Sequence, residues 1–188
     1  MVFREMQQIK TSRLLLRKQC TEDVQDYYER IGSRPEVTAG MLWEPHCDIS
    51  ESRASVEKAL RRYASGRCYR WAIDLPGDGL IGIIELLGFD EEKETCSFAY
   101  MLCPEYWGQG YGTEALRCVL DFAFSQLEIK RVDVDHFTTN PASGAVMRKV
   151  GMRFQGIVPE KYEKQGKKLD AAQYSVTREE FHQKNALE

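Results

Sequence analysis

The sequence predicts a mixed α/β domain, with a mostly antiparallel central sheet and helices on both of its faces. Three observations carry this. Residues 69–103 hold three apolar segments divided by Pro76-Gly77-Asp78-Gly79 and by Asp90-Glu91-Glu92-Lys93, the pattern of an antiparallel meander. Beyond residue 111 the pattern changes to helix, strand, helix, strand, which adds crossover connections to the meander. The 188 residues contain no internal repeat, low-complexity tract or Pro/Ser-rich linker, so one core is expected.

Each element has its own signal. Residues 13–18 include the run LLLR and read as a short strand. Thr21-Glu22-Asp23 is a helix start, and Val24, Tyr27, Tyr28 and Ile31 follow at helical spacing up to Gly32. Between about 36 and 49 polarity is mixed, with Pro35 and Pro45 nearby, so this is loop or broken helix. Ser50 opens an amphipathic helix that turns Val56, Ala59, Leu60 and Tyr63 inward and stops at Gly66. Strands at 69–75, 80–89 and 95–103 form the meander, closed by Pro104. A helix at 112–127 places Ala115, Leu116, Val119, Leu120, Ala123 and Leu127 on one side. Then come a strand at 131–137, a helix at 141–150, a strand at 152–158, a basic hairpin (KYEKQGKK) and a strand at 169–176. The total is about six to seven strands.

Composition narrows the function. Lys plus Arg total 26 against 29 Asp plus Glu, a formal charge of −3, so no broad field attracts a nucleic-acid backbone and no nucleic-acid partner is expected. Cys20, Cys47, Cys68, Cys96, Cys103 and Cys118 form no CxxC pair, and His46, His136 and His182 are scattered. Reduced thiols in a cytoplasmic, metal-free protein are expected. The opening residues are neither a signal peptide nor a membrane span, and no membrane partner is expected.

The chemically informative stretch is YMLCPEYWGQGYGTEAL, residues 100–116. A strand ends at Pro104, a loop supplies Gly108, Gly110 and Gly112, and a helix begins at once. Glycines let backbone N–H groups converge on one point, and a helix N-terminus adds unpaired donors and a positive dipole end. Such a nest binds phosphate or pyrophosphate without a lysine, or it is a turn with no ligand. No GxxxxGK[ST] is present, and a dinucleotide fold would place its loop in an opening parallel unit. Glu114, in the first helical turn, would repel phosphate if it faced the nest.

Here the chain resembles the GNAT superfamily of acyl-CoA-dependent N-acetyltransferases, in its RimJ/RimL-like branch. The resemblance spans residues 9–181. It rests on TSRLLLRK, YRWAI, LIGIIEL, PEYWGQGYGTEAL, NPASGAVMRKVGM and QYSVTREEF in this order. It implies one domain over 9–181, with 1–8 and 182–188 as terminal extensions, and a GNAT-like sheet splayed between its fourth and fifth strands (95–103 and 131–137). Acetyl-CoA, the cosubstrate, would enter that wedge. Backbone groups of Met101, Leu102 and Cys103 would meet its pantetheine arm and polarise the thioester carbonyl. The amides of Gln109, Gly110, Tyr111, Gly112 and Thr113 would hold its pyrophosphate. In the NxxSxxVxxKxG pattern Asn140 would contact pantetheine, and Ser143 would donate to the departing thiolate. Both residues also suit a helix cap. Trp107, at the first position of the superfamily's [Q/R]xxGx[G/A] loop, reads as loop packing.

Acetyl transfer needs a neutral amine, so a general base is expected. Relatives in this branch commonly carry a glutamate where this chain has Ser97. Glu85, in the apolar run IGIIELLGF, would fall opposite Phe98, or opposite Ser97 with one residue of slip, and could supply that carboxylate or face solvent. His136 is the second base candidate and also fits a core histidine. Asp133 and Asp135 could bind a cationic acceptor or face water, and Tyr174 is an acid candidate. The acceptor pocket would be lined by Trp43, Glu44, His46 and Tyr27, and the lysines at 161, 164, 167 and 168 read as a solvated turn. Cys103, in a strand just before proline, reads as a backbone ligand of pantetheine and not as a nucleophile, so direct transfer is expected. The expected acceptor is a protein N-terminal amine; a polyamine or antibiotic amine, or a degenerate acyl-CoA-binding module, are the alternatives. A monomer or homodimer suits each.

Overall fold

The computed structural model describes residues 1–64 and 68–185. Eight strands form one sheet: β1 (Ile9–Lys10), β2 (Leu15–Lys18), β3 (Tyr69–Leu75), β4 (Gly79–Asp90), β5 (Thr95–Leu102), β6 (Arg131–Phe137), β7 (Arg153–Lys164) and β8 (Lys167–Thr177). Their order is β1-β2-β3-β4-β5-β6-β8-β7. Every neighbouring pair is antiparallel except β5 with β6. A parallel pair needs a crossover, and helix α4 (Tyr111–Ser125) supplies it. The fold is therefore the mixed, mostly antiparallel sheet expected from the meander and the crossovers.

The helices divide between the faces. One face of the sheet, through Ala72, Leu80, Ile83 and Met101, meets α1 (Val24–Tyr27), α2 (Pro35–Thr38) and α3 (Ile49–Tyr63) at Val24, Tyr27, Val37 and Val56, with Ile31 between α1 and α2. The other carries the larger core, where Trp71, Ile84, Phe98 and Val132 pack with Leu116, Leu120 and Phe124 of α4 and Met147 of α5 (Pro141–Lys149). Phe181 of α6 (Arg178–Asn185) is fully buried there.

The departures from expectation are local. The strand anticipated at 13–18 is β2, and β1 precedes it as an additional strand: the Thr11 amide donates to Leu14 O at 2.9 Å and Leu14 N donates to Thr11 Oγ1 at 2.8 Å where the chain reverses. The first helix opens as a 3-10 turn at Thr21–Asp23 and closes as a π turn at Tyr28–Gly32. The second amphipathic helix starts at Ile49, since the Asp48 carboxylate accepts from Ser50 N at 2.7 Å and caps it. Its expected stop, Gly66, lies outside the described residues. The basic hairpin continues β7 and β8 around Gln165-Gly166, both with positive φ (52° and 71°), the geometry of a two-residue hairpin turn. Residues 1–8, expected as an extension, lie along β3: Gln7 O accepts from Trp71 Nε1 at 2.8 Å, and Met6 is buried.

Candidate active site

β5 and β6 pair only at Thr95↔Arg131 and Cys96↔Val132, and beyond these the strands part. The opening is a cleft of about 530 Å³ between β5, β6, the α4 start, the α5 start and the turn after α2. Backbone parity decides which β5 groups face it. Cys103 N donates to Ile81 O at 2.9 Å, and the register pairs Met101 with Ile83 and Ala99 with Glu85. The odd-numbered residues thus spend their backbone groups on β4, and those of Phe98, Tyr100 and Leu102 point toward β6 and the opening. The Leu102 carbonyl is taken by Trp107 Nε1 at 2.8 Å, which ties the glycine loop to the strand. Cys103 was expected to present its backbone to a ligand. Its amide is held by Ile81, its carbonyl accepts from Tyr106 N at 3.0 Å, and its thiol donates to Glu105 at 2.6 Å.

The loop after β5 has the shape of an anion nest. Gly108 (φ 74°) and Gly110 (φ 86°) adopt the left-handed backbone that glycine takes without strain, and Gly110 is the N-cap of α4. The first-turn amides of Tyr111, Gly112 and Thr113 have no partner within the helix, and these residues line the cleft. Gln109 turns away: its side chain bonds Glu105 O at 2.9 Å, and its carbonyl accepts from Arg13 at 3.0 Å. Glu114 is drawn off the nest to the β1–β2 turn. Burial works to raise its pKa, but bonds from Thr11 and Arg13 outweigh that and hold it below the ordinary carboxylate value.

The opposite wall is the start of α5. Asn140 is its N-cap and accepts from Ser143 N at 3.4 Å, so the capping role holds and both residues also line the cleft. Tyr100 OH donates to Ser143 Oγ at 3.5 Å, and burial raises the phenol's pKa. The sequence reading passed over Tyr100. Its signal was the phase it shares with Phe98, which turns it toward the face that carries α5.

The base candidates fare differently. Glu85 stands opposite Ala99, neither Phe98 nor Ser97, and its carboxylate lies 3.5 Å from the buried Arg70 guanidinium. Burial works to lower the Arg70 pKa, but Tyr27 and Glu85 outweigh it, so this is a structural ion pair on the α1–α3 side. It is not turned to the cleft. His136 does line it, with Nδ1 2.8 Å from Phe137 O, but its Nε2 is buried against α5: a Cβ at Gly144 would lie 2.7 Å from it. Tyr174 stacks on His136 and accepts from Arg148 Nη1 at 2.8 Å.

A second hollow, of about 630 Å³, opens on the other face of the same splay. Ser97 and Ala99 of β5, Asp133 and Asp135 of β6, and Lys161 of the hairpin line it. Its charges are paired: Asp133 with Arg131 at 2.7 Å, and Asp135 with Lys161 and with Tyr162 OH at 2.9 Å. Burial works to lower the Lys161 pKa, but the Asp135 bond outweighs it. The hairpin lysines are not a uniformly solvated turn, since Lys164 Nζ donates to Thr38 O (2.7 Å), Met41 O (2.9 Å) and Trp43 O (3.4 Å). Trp43, His46 and Tyr27 form an aromatic cluster at the α1–α3 core, and Glu44 accepts from Gln165. The hollow is lined from that loop by Gly40, Met41 and Leu42 instead. Among the described residues no group of three His, Cys, Asp or Glu could hold a metal, and no helix is long and apolar enough to cross a membrane.

Residues 13–153 match the family model described as an acetyltransferase (GNAT) domain. The N-acetyltransferase p20 of Bacillus licheniformis is 26% identical over 177 residues, 94% of this chain and 99% of that one. Among solved structures, RimL, a ribosomal L7/L12 α-N-protein acetyltransferase in complex with coenzyme A, superposes with a TM-score of 0.82 at 18% identity, over 91% of this chain and 98% of that one. The spermidine N-acetyltransferase of Vibrio cholerae, in complex with CoA and spermine, gives 0.78 at 19% identity over 92% and 99%. The splayed sheet and its nest agree with these matches: the chain belongs to the GNAT acetyltransferase family, as an acetyl-CoA-dependent N-acetyltransferase.

Proposed function

We propose that the protein transfers the acetyl group of acetyl-CoA directly to the α-amine of a protein or peptide N-terminus. The residues fit the cosubstrate: the amides of Gly110, Tyr111, Gly112 and Thr113 suit its pyrophosphate, and the backbone groups of Tyr100 with the N–H of Leu102 face outward to its pantetheine arm. In this reading Leu102 is kept and Tyr100 takes the place of Met101 and Cys103 as a strand contact, because the latter two are committed to β4. Acetyl-CoA supplies an activated thioester. Backbone N–H on β5 stabilises charge on the carbonyl oxygen, and Ser143 Oγ, backed by Tyr100 OH, donates to the departing sulfur. Residues 9–181 act as one domain, since β8 inserts between β6 and β7 in a single sheet.

One observation carries the choice of acceptor: both carboxylates of the second hollow are already engaged. Asp133 and Asp135 are ion-paired, and of the His136 nitrogens Nδ1 lies near the Phe137 carbonyl while the buried Nε2 has no hydrogen-bond partner. With both carboxylates paired, the acceptor's own pKa sets its reactive fraction. An α-amine near 7.7–8.0 is several hundred times more deprotonated at neutral pH than an amine near 10.4. The paired carboxylates also leave little uncompensated charge for a polycation. The likeness to RimL supports the same acceptor class, and the likeness to the spermidine enzyme supplies the rival.

Thiol release from acetyl-CoA, measured over a panel of N-terminal peptides, polyamines and aminoglycosides, tests this. Peptides are expected to be used best, with a rate that rises to the α-amine's pKa and a His136→Asn variant that keeps this profile. A polyamine used best, or a profile abolished by His136→Asn, would overturn the reading. Absence of release with every acceptor, despite tight CoA binding, would leave a binding module.

A further inference from the structure

The β1–β2 turn, Thr11-Ser12-Arg13, docks on the start of α4, although Arg13 and Glu114 are 101 positions apart. Glu114 accepts from Thr11 Oγ1 at 2.5 Å, Ser12 Oγ at 3.2 Å, Arg13 N at 3.2 Å and Arg13 Nε at 2.7 Å. The same guanidinium lies 4.4 Å from the centre of the Tyr111 ring and donates from Nη1 to Gln109 O at 3.0 Å. One side chain therefore grips the loop at three points. A trans peptide is planar, so the Gln109 carbonyl and the Gly110 N–H point in opposite directions. By drawing the carbonyl outward, Arg13 turns the Gly110 N–H toward the cleft.

We infer that Arg13 is a positioning residue for the cosubstrate: it fixes the Gln109–Gly110 peptide plane in its anion-binding orientation and neutralises Glu114 at the helix end. It touches the loop and not the reacting atoms. The inference rests on the reading that this loop holds the pyrophosphate of acetyl-CoA. The task needs arginine, because a planar fork holds Glu114 and the Gln109 carbonyl at once while lying on a ring, and a lysine ammonium is a point charge that does not.

Equilibrium titration of the full chain with coenzyme A and with pantetheine, which lacks the pyrophosphate and nucleotide, separates the possibilities. The wild type is expected to prefer coenzyme A, and Arg13→Ala to lose about tenfold of that preference, the loss expected for a charge-assisted bond. Arg13→Lys is expected to lose as much, and it carries the test if the alanine variant does not fold. An Arg13→Ala protein with wild-type preference would overturn the inference, as would full retention by lysine, which would make Arg13 a counter-charge only. A wild type that binds both ligands equally would instead remove the loop reading, and the inference with it.

Discussion

At the residue scale, the Cys103 thiol illustrates how local chemistry assigns a role. Burial, with the hydrogen bond to Glu105 second, pushes the Cys103 pKa up to about 11. A raised thiol pKa favours the neutral form, so at pH 7–9 almost no thiolate is present and the side chain is a poor nucleophile. Cys103→Ala is expected to keep acetyl transfer within about threefold of wild type, and alkylation of Cys103 to stay slow until the pH nears 11. An acetyl-cysteine adduct seen by mass spectrometry, or a dead alanine variant that still binds acetyl-CoA, would sink direct transfer. Glu85 shows the opposite case. A carboxylate inside an apolar strand was legible in the sequence as unusual, but its partner was not, because Arg70 lies on the neighbouring strand in a register that only pairing fixes.

At the element scale, the β7–β8 hairpin holds the loop that lies between the two hollows. Lys164 at its tip donates to three carbonyls at the end of α2 and in the turn after it, and Gly40 in that turn sits so close to α5 that a Cβ there would lie 2.9 Å from Asn140 Nδ2. Lys164→Met is expected to lower stability by about 1–2 kcal/mol, since the charged bonds are partly offset by the cost of burying the ammonium. It should also speed amide exchange in residues 38–43. Unchanged exchange there would show that the cage does not restrain the loop. The lysine-rich run was plain in the sequence, but its direction was not: whether such a hairpin faces water or the body of the protein depends on where β8 pairs. The helices were easier to read. The α4 boundaries follow from its apolar stripe and glycine cap, but the Asp48 cap of α3 was missed, because Ser50 offers a competing start, and α6 was not read as a helix.

At the scale of the whole molecule, the splay divides the sheet into β1–β5 and β6–β8, joined across the strands by only two register pairs. A ligand that bridges β5, the α4 start and the α5 start couples the two halves. Coenzyme A at about 100 times its Kd is expected to add about 2.7 kcal/mol, a rise of roughly 5–10 °C in the thermal midpoint for a chain of this size. No rise, with binding shown independently, would mean that the cleft ligand does not stabilise the native fold. By itself the sequence determined the helix and strand periods, the meander, the glycine loop and the family resemblance, because each is written in residues close together in the chain. Only the tertiary structure decided that β8 lies between β6 and β7, which edge of β5 faces the opening, that Glu85 is bound to Arg70, and that Arg13 grips the loop around Gln109. Those facts depend on strand order and register, and these are set by packing between segments far apart in sequence, where no local pattern records them.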